Sequence, residues 1–133
     1  MIEAAVDWTD NDRFVGKVTS RRSITMDTAT ERIANSPMEL VMLGLCGSTA
    51  ADVIEILRKK REPFTCFEVR ARAERAQGHP AVYTSIHLTY SVGGHVSEKA
   101  MEDAVRLSHE KYCSVTAMLA KTAAITYIIE YVS

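Results

Sequence analysis

Hydrophobic and polar positions divide the chain into stretches of different period. From Ile2 to about Asp27 they partly alternate, with turn signals at Asp10-Asn11-Asp12, Gly16 and Ser20, which predicts short antiparallel strands. Thr28 to Asn35 is polar and reads as a loop. A helix start follows: Ser36 can cap, Pro37 takes the first helical position, and Glu39 stands three residues after Ser36. This is an S-x-x-E capping box, with proline where its missing N–H costs nothing. The predicted helix runs to about Lys60, ahead of Pro63, and Arg58-Lys59-Lys60-Arg61 sets positive charge at the negative end of its dipole. Leu40, Val41, Met42, Leu43, Leu45, Cys46, Val53, Ile54, Ile56 and Leu57 cover most of its circumference, the mark of a helix buried on most sides.

Phe64 to Ala76 alternates again, with Thr65, Phe67, Val69, Ala71 and Ala73 on one face and Cys66, Glu68, Arg70, Arg72 and Glu74 on the other. Gln77-Gly78-His79-Pro80 turns the chain into a second strand, Ala81 to Val92, which Gly93-Gly94 ends. The pair reads as a hairpin with one wet face. Ser97 caps a second helix reaching about Tyr112, a short third helix covers Ser114 to Ala120, and a last strand runs from Ala123 to Val132. With no repeat and no linker, residues 1–133 form one α+β domain, its antiparallel sheets set around a long buried central helix. One thin sheet cannot cover such a helix in so small a chain, so a second copy is expected to do so, giving a homodimer.

Composition narrows the function classes. The chain has 133 residues, 47% hydrophobic and 25% charged, and its formal net charge is −1, so no field of one sign steers it toward nucleic acid. Collagen-like, disordered and disulfide-scaffold readings fail on the same figures. Three cysteines, Cys46, Cys66 and Cys113, are an odd and widely spaced set, which favours a reducing compartment. Met1 to Trp8 lacks the basic-then-apolar pattern of a leader, and the most apolar segment, Leu40 to Ala51, falls short of a bilayer span. A cytoplasmic protein with no membrane partner is the expectation.

Few residues offer chemistry. His79, His87, His95 and His109 never fall at metal-ligand spacing, and neither a phosphate-cradling glycine loop nor a G-x-S-x-G elbow occurs. No metal and no cofactor are therefore expected. Arg58 to Arg61 lacks interleaved aromatics and reads as a solvated helix end. Cys66 is predicted on the solvent side of its strand. Cys46, in mid-helix, reads as a small buried hydrophobe. Cys113 precedes the last helical segment, where the partial positive charge of a helix start favours a thiolate, and it is the candidate reactive group.

Ser36-Pro37-Met38-Glu39-Leu40, Thr49-Ala50-Ala51-Asp52-Val53-Ile54-Glu55-Ile56-Leu57 and Glu110-Lys111-Tyr112-Cys113-Ser114-Val115 resemble the OsmC/Ohr family of hydroperoxide-handling proteins. Val82-Tyr83-Thr84-Ser85-Ile86-His87-Leu88 and Ala104-Val105-Arg106-Leu107-Ser108 fit the same pattern, so the resemblance spans nearly the whole chain and looks closest to the shorter OsmC-like branch. It implies an interwoven homodimer and a two-cysteine peroxidase. One cysteine on the long helix attacks the O–O bond of an organic hydroperoxide and becomes a sulfenic acid. The second condenses with it to a disulfide, which an external dithiol reduces. An N-terminal arginine, for which Arg21 and Arg22 are candidates, and a helix-start glutamate, for which Glu39 is the candidate, hold the first thiolate.

Cys113 matches the second cysteine of the family. The first does not match: where the family reads Gly-Gly-Cys-Thr-Ala, this chain reads Cys46-Gly47-Ser48-Thr49-Ala50. Ser48 takes the attacking position and Cys46 the place of a glycine. Two residues along a helix turn a side chain by about 200°, so Cys46 and Ser48 face nearly opposite ways. A serine hydroxyl cannot be oxidised reversibly as sulfur can. Three outcomes follow: a local helix bulge brings Cys46 to Cys113, Cys113 works as a lone thiol, or the pocket binds a small hydrophobic ligand without catalysis. The leading expectation is a thiol redox protein acting on organic hydroperoxides; the alternative is a non-catalytic binding protein.

Overall fold

The computed structural model describes residues 1–19 and 22–133. The chain divides into two compact units, Met1–Leu43 and Gly44–Ser133. In the first, β1 (Ala4–Asp10), β2 (Arg13–Val18) and β3 (Ile24–Asp27) form an antiparallel three-stranded sheet in chain order. Asp27 organises the polar loop that follows. Its buried carboxylate accepts the backbone N–H of Ala29 at 2.9 Å and of Ile33 at 3.1 Å, and Arg13 Nε lies 3.6 Å away. These N–H donors, Ala29 first, hold its carboxyl below the ordinary carboxylate value.

Helix α1 (Pro37–Lys59) starts in this unit and continues into the second. Its capping box forms as the sequence predicts: Glu39 N donates to Ser36 Oγ at 3.2 Å, and Ser36 N donates to Glu39 Oε1 at 2.8 Å. The other end closes in a Schellman turn. Glu62 N donates to Leu57 O and Arg61 N to Arg58 O, with Arg61 in the left-handed region at φ 57°.

In the second unit β4 (Phe64–Arg75), β5 (Tyr83–Gly94) and β6 (Ala124–Val132) make a sheet with β5 in the centre. β4 pairs antiparallel with β5, but β6 runs parallel to it. The sheet is therefore mixed, where antiparallel pairing alone was expected. The cause is the connection. A parallel neighbour needs a crossover, and α2 (Glu98–Leu107), a π-helical turn (Ser108–Tyr112) and α3 (Ser114–Leu119) supply it. Ser97 caps α2 by accepting from Ala100 N at 3.2 Å.

The core gathers Leu45, Thr49, Val53 and Leu57 from α1, one row at four-residue spacing. Ile86, Leu88, Tyr90 and Val92 of β5 join them, with Met101, Ala104 and Val105 of α2. The expectation of a helix buried nearly all round is corrected here. Only that one row of α1 is buried in the single chain, and Val41 and Leu43 stay exposed. At 23 residues and with a mean hydropathy of 1.7 in its most apolar stretch, α1 is also long and apolar enough to cross a membrane by length and composition. Reading only Leu40 to Ala51 understated it. Its buried row and its polar bonds at Thr49 and Asp52 are those of a core helix.

Candidate functional site around Cys113

The π turn decides where Cys113 sits. Ser108–Tyr112 carries one i→i+5 step, and Cys113 N closes it by donating to Ser108 O at 2.7 Å. Cys113 then leaves helical geometry at φ −77°, ψ 102° and caps α3, its sulfur accepting from Thr116 N at 3.3 Å. The expected helix start at Cys113 is thus present but only six residues long, too short for a strong end-dipole. Cys113 Sγ lies 3.4 Å from Ser48 Oγ, to which it donates, and only 3% of the residue is exposed.

Helix α1 runs unbroken through this region, so no bulge re-aims Cys46. The bulge lies instead in the chain before Cys113. Cys46 is half-buried and in no disulfide among the described residues, and burial pushes its thiol above the ordinary value. Cys66 is exposed on β4. All three cysteines are free.

The remaining candidates lie in the first unit. Glu39 is occupied by the capping box and by Arg32, whose Nη2 donates to it at 2.9 Å; the Ser36 N–H is the main reason its carboxyl sits below the ordinary value. Arg22 lies exposed just before β3, and Arg21 lies outside the described residues. Among the described residues no cluster of three His, Cys, Asp or Glu side chains could hold a metal ion.

Behind Ser48 and Cys113 runs a chain of polar side chains that sequence reasoning missed. Ser108 Oγ donates to Asp52 Oδ2 at 3.0 Å, and Thr49 Oγ1 lies 2.8 Å from Ser108 Oγ. Thr49 Oγ1 is also 2.7 Å from the Tyr90 hydroxyl, which is 2.8 Å from His109 Nε2. Thr49 and Ser108 are fully buried. Burial raises the Tyr90 phenol and lowers His109, so both are neutral near pH 7. Bonded partners in this chain of side chains lie up to 59 positions apart in sequence, and nothing local marks them. Only the four-residue spacing of Leu45, Thr49, Val53 and Leu57 hints that a threonine faces inward. Asp52 also lines a cavity of about 300 Å³ with Ile56, Lys59, Leu107 and Tyr112.

The family model described as OsmC-like protein matches residues 27–128. The chain belongs to the OsmC-like family. Protein YhfA of Escherichia coli K12 is 38% identical over 133 residues, 99% of either chain. A solved protein from Aquifex aeolicus, 32% identical, superposes with a TM-score of 0.86 over 100% of this chain and 98% of that one. An OsmC-like protein from Mycoplasma pneumoniae reaches 0.88 at 12% identity, with 100% and 98% covered. An organic hydroperoxide resistance protein from Elizabethkingia anophelis reaches 0.78, also at 12%, with 99% and 96% covered. At 12% identity the likeness is one of fold.

Proposed function

We propose that this OsmC-like protein is a thiol-dependent redox protein that reduces organic hydroperoxides with Cys113 as the one sulfur of its site. The observation that carries this is the 3.4 Å approach of Cys113 Sγ to Ser48 Oγ. The family resemblance puts an attacking cysteine where this chain has an oxygen. A two-cysteine cycle would need sulfur at position 48, so an external thiol, not a second cysteine of this chain, resolves the sulfenic acid. The Cys113 thiolate attacks the hydroperoxide, the O–O bond breaks, sulfur keeps one oxygen as a sulfenic acid, and the alkoxide takes a proton and leaves as an alcohol. One thiol of an external dithiol condenses with the sulfenic acid and releases water. The second thiol displaces Cys113 as thiolate, leaving the dithiol oxidised. A homodimer in the cytoplasm belongs to this reading, the second copy covering exposed positions such as Val41 and Leu43.

The burial of Cys113 favours a second reading, a pocket that holds a small hydrophobic ligand and does no chemistry. Consumption of cumene hydroperoxide with dithiothreitol separates the two. Turnover in the wild type, lost in Cys113→Ser and kept in Cys46→Ser and Cys66→Ser, supports the redox reading. A wild type no faster than Cys113→Ser overturns it in favour of the binding protein.

A further inference from the structure

The five-residue chain behind Cys113 has one allowed proton direction, and the arithmetic of hydroxyl protons fixes it. A carboxylate only accepts, and each hydroxyl has a single proton to give. Ser108 gives its proton to Asp52. Thr49 must therefore give its proton to Ser108, and Tyr90 its proton to Thr49. The Tyr90 oxygen, its own proton spent, can meet His109 Nε2 at 2.8 Å only by accepting. His109 then carries its proton on Nε2, and Nδ1 is a bare acceptor with no partner among the described residues.

We propose that Asp52, Ser108 and Thr49 are positioning residues whose one-way chain locks His109 as the Nε2–H imidazole and presents Nδ1 to the O–H group of a hydroperoxide or its alcohol product. The surroundings fit a neutral imidazole. Tyr90 faces it from β5 edge-on at 6.0 Å and Tyr127 faces it from β6 at 4.6 Å between centroids. The charged residues on its own segment are Arg106, Glu110 and Lys111, of which Arg106 and Glu110 pair with each other and Lys111 lies over the Tyr112 ring. The π turn that carries His109 is the one whose i→i+5 step ends at Cys113, four residues on. The choice of an O–H ligand rests on the redox reading above; the locked tautomer does not.

Long-range proton–nitrogen correlation spectra of the full-length, ¹⁵N-labelled protein read the tautomer directly. The wild type is expected to show His109 as Nε2–H. Ser108→Ala frees the Thr49 proton for Tyr90 and the Tyr90 proton for His109, so the signal should move to the Nδ1–H form. Ser108→Thr, which restores a hydroxyl, should return it. Thr49→Val tests the same prediction at an independent residue, because Tyr90 then keeps its proton for His109. An unchanged tautomer in both Ser108→Ala and Thr49→Val overturns the proposal. Titration with 2-phenyl-2-propanol should shift the wild-type Nδ1 resonance, at least five times less strongly in Ser108→Ala; no wild-type shift overturns the ligand assignment. Locked tautomers without hydroperoxide turnover would end the redox reading and leave the chain in place, and turnover with tautomers indifferent to Ser108 would do the reverse.

Discussion

Ser48 Oγ stands 3.4 Å from Cys113 Sγ, while Cys46, two residues earlier on the same helix, makes no bond to either of the other cysteines. A cysteine placed at 48 would carry its sulfur where that oxygen now sits. Ser48→Cys is therefore expected to form a disulfide with Cys113 under mild oxidant. The checks are a mass loss of two hydrogens, two fewer titratable thiols than in the reduced variant, and a peptide map linking 48 to 113. Wild type treated alike should keep all three thiols free. A bridge from Cys46 to Cys113 in wild type would show that helix α1 presents the other face.

The core makes a second expectation. Leu57 is fully buried in the inward row of α1, next to the Schellman turn that ends the helix. Leu57→Ala removes buried methyl groups and leaves a cavity, which costs about 2–5 kcal/mol in urea unfolding. Leu43→Ala, on an exposed position of the same helix, should cost far less as long as the chain is monomeric. If a second copy covers Leu43, that loss should grow with protein concentration.

These two leucines show what was legible in the sequence. Local chemistry was: Ser36, Pro37 and Glu39 mark the start of α1, Ser97 marks α2, and alternation marks β4 and β5. Apolar character without direction was not enough to say which face of α1 is covered, because Leu43 and Leu57 look alike in a list of residues. The parallel placement of β6 and the π turn before Cys113 depend on how a crossover docks, a tertiary outcome that no single segment encodes. The register of two residues on a helix said that Cys46 and Ser48 face opposite ways, and only the family resemblance put Ser48 on the Cys113 side. The chain from Asp52 to His109 was not legible, because each member is an ordinary polar residue until folding places the oxygens and the His109 ring nitrogen 2.7–3.0 Å from their neighbours in the chain.

Asp27 gives a pH expectation. Its folded carboxyl lies below the ordinary 3.8, chiefly through the Ala29 N–H, so its contribution is present above the unfolded value and is lost as pH falls through the folded one. Thermal unfolding should therefore show wild type losing part of its margin over Asp27→Asn below about pH 4. At pH 7 the variant should melt lower, because an amide in place of the carboxylate cannot accept from Ala29, Ile33 and Arg13 together. Equal melting temperatures across the whole pH range would show that this carboxylate does not anchor the loop after β3.

The Schellman turn at the end of α1 carries a residue that does not suit it. Arg61 occupies the left-handed position, φ 57°, which glycine adopts freely and a side chain with a Cβ adopts at a cost of about 1 kcal/mol. The backbone bonds of the turn, Glu62 N to Leu57 O and Arg61 N to Arg58 O, do not involve the side chain. Arg61→Gly should therefore leave them intact and relieve the strain. Glycine also gains freedom in the unfolded chain, which offsets part of the gain. The net expectation is a rise of a few tenths to about 1 kcal/mol in urea unfolding, with the slope unchanged. Gly94→Ala should do the opposite. There φ is 100°, and an added Cβ would fall 2.5 Å from Pro63 O and 3.0 Å from Thr65 N, backbone atoms that cannot step aside. If Arg61→Gly destabilises the protein, the arginine side chain makes a stabilising contact that outweighs its backbone strain.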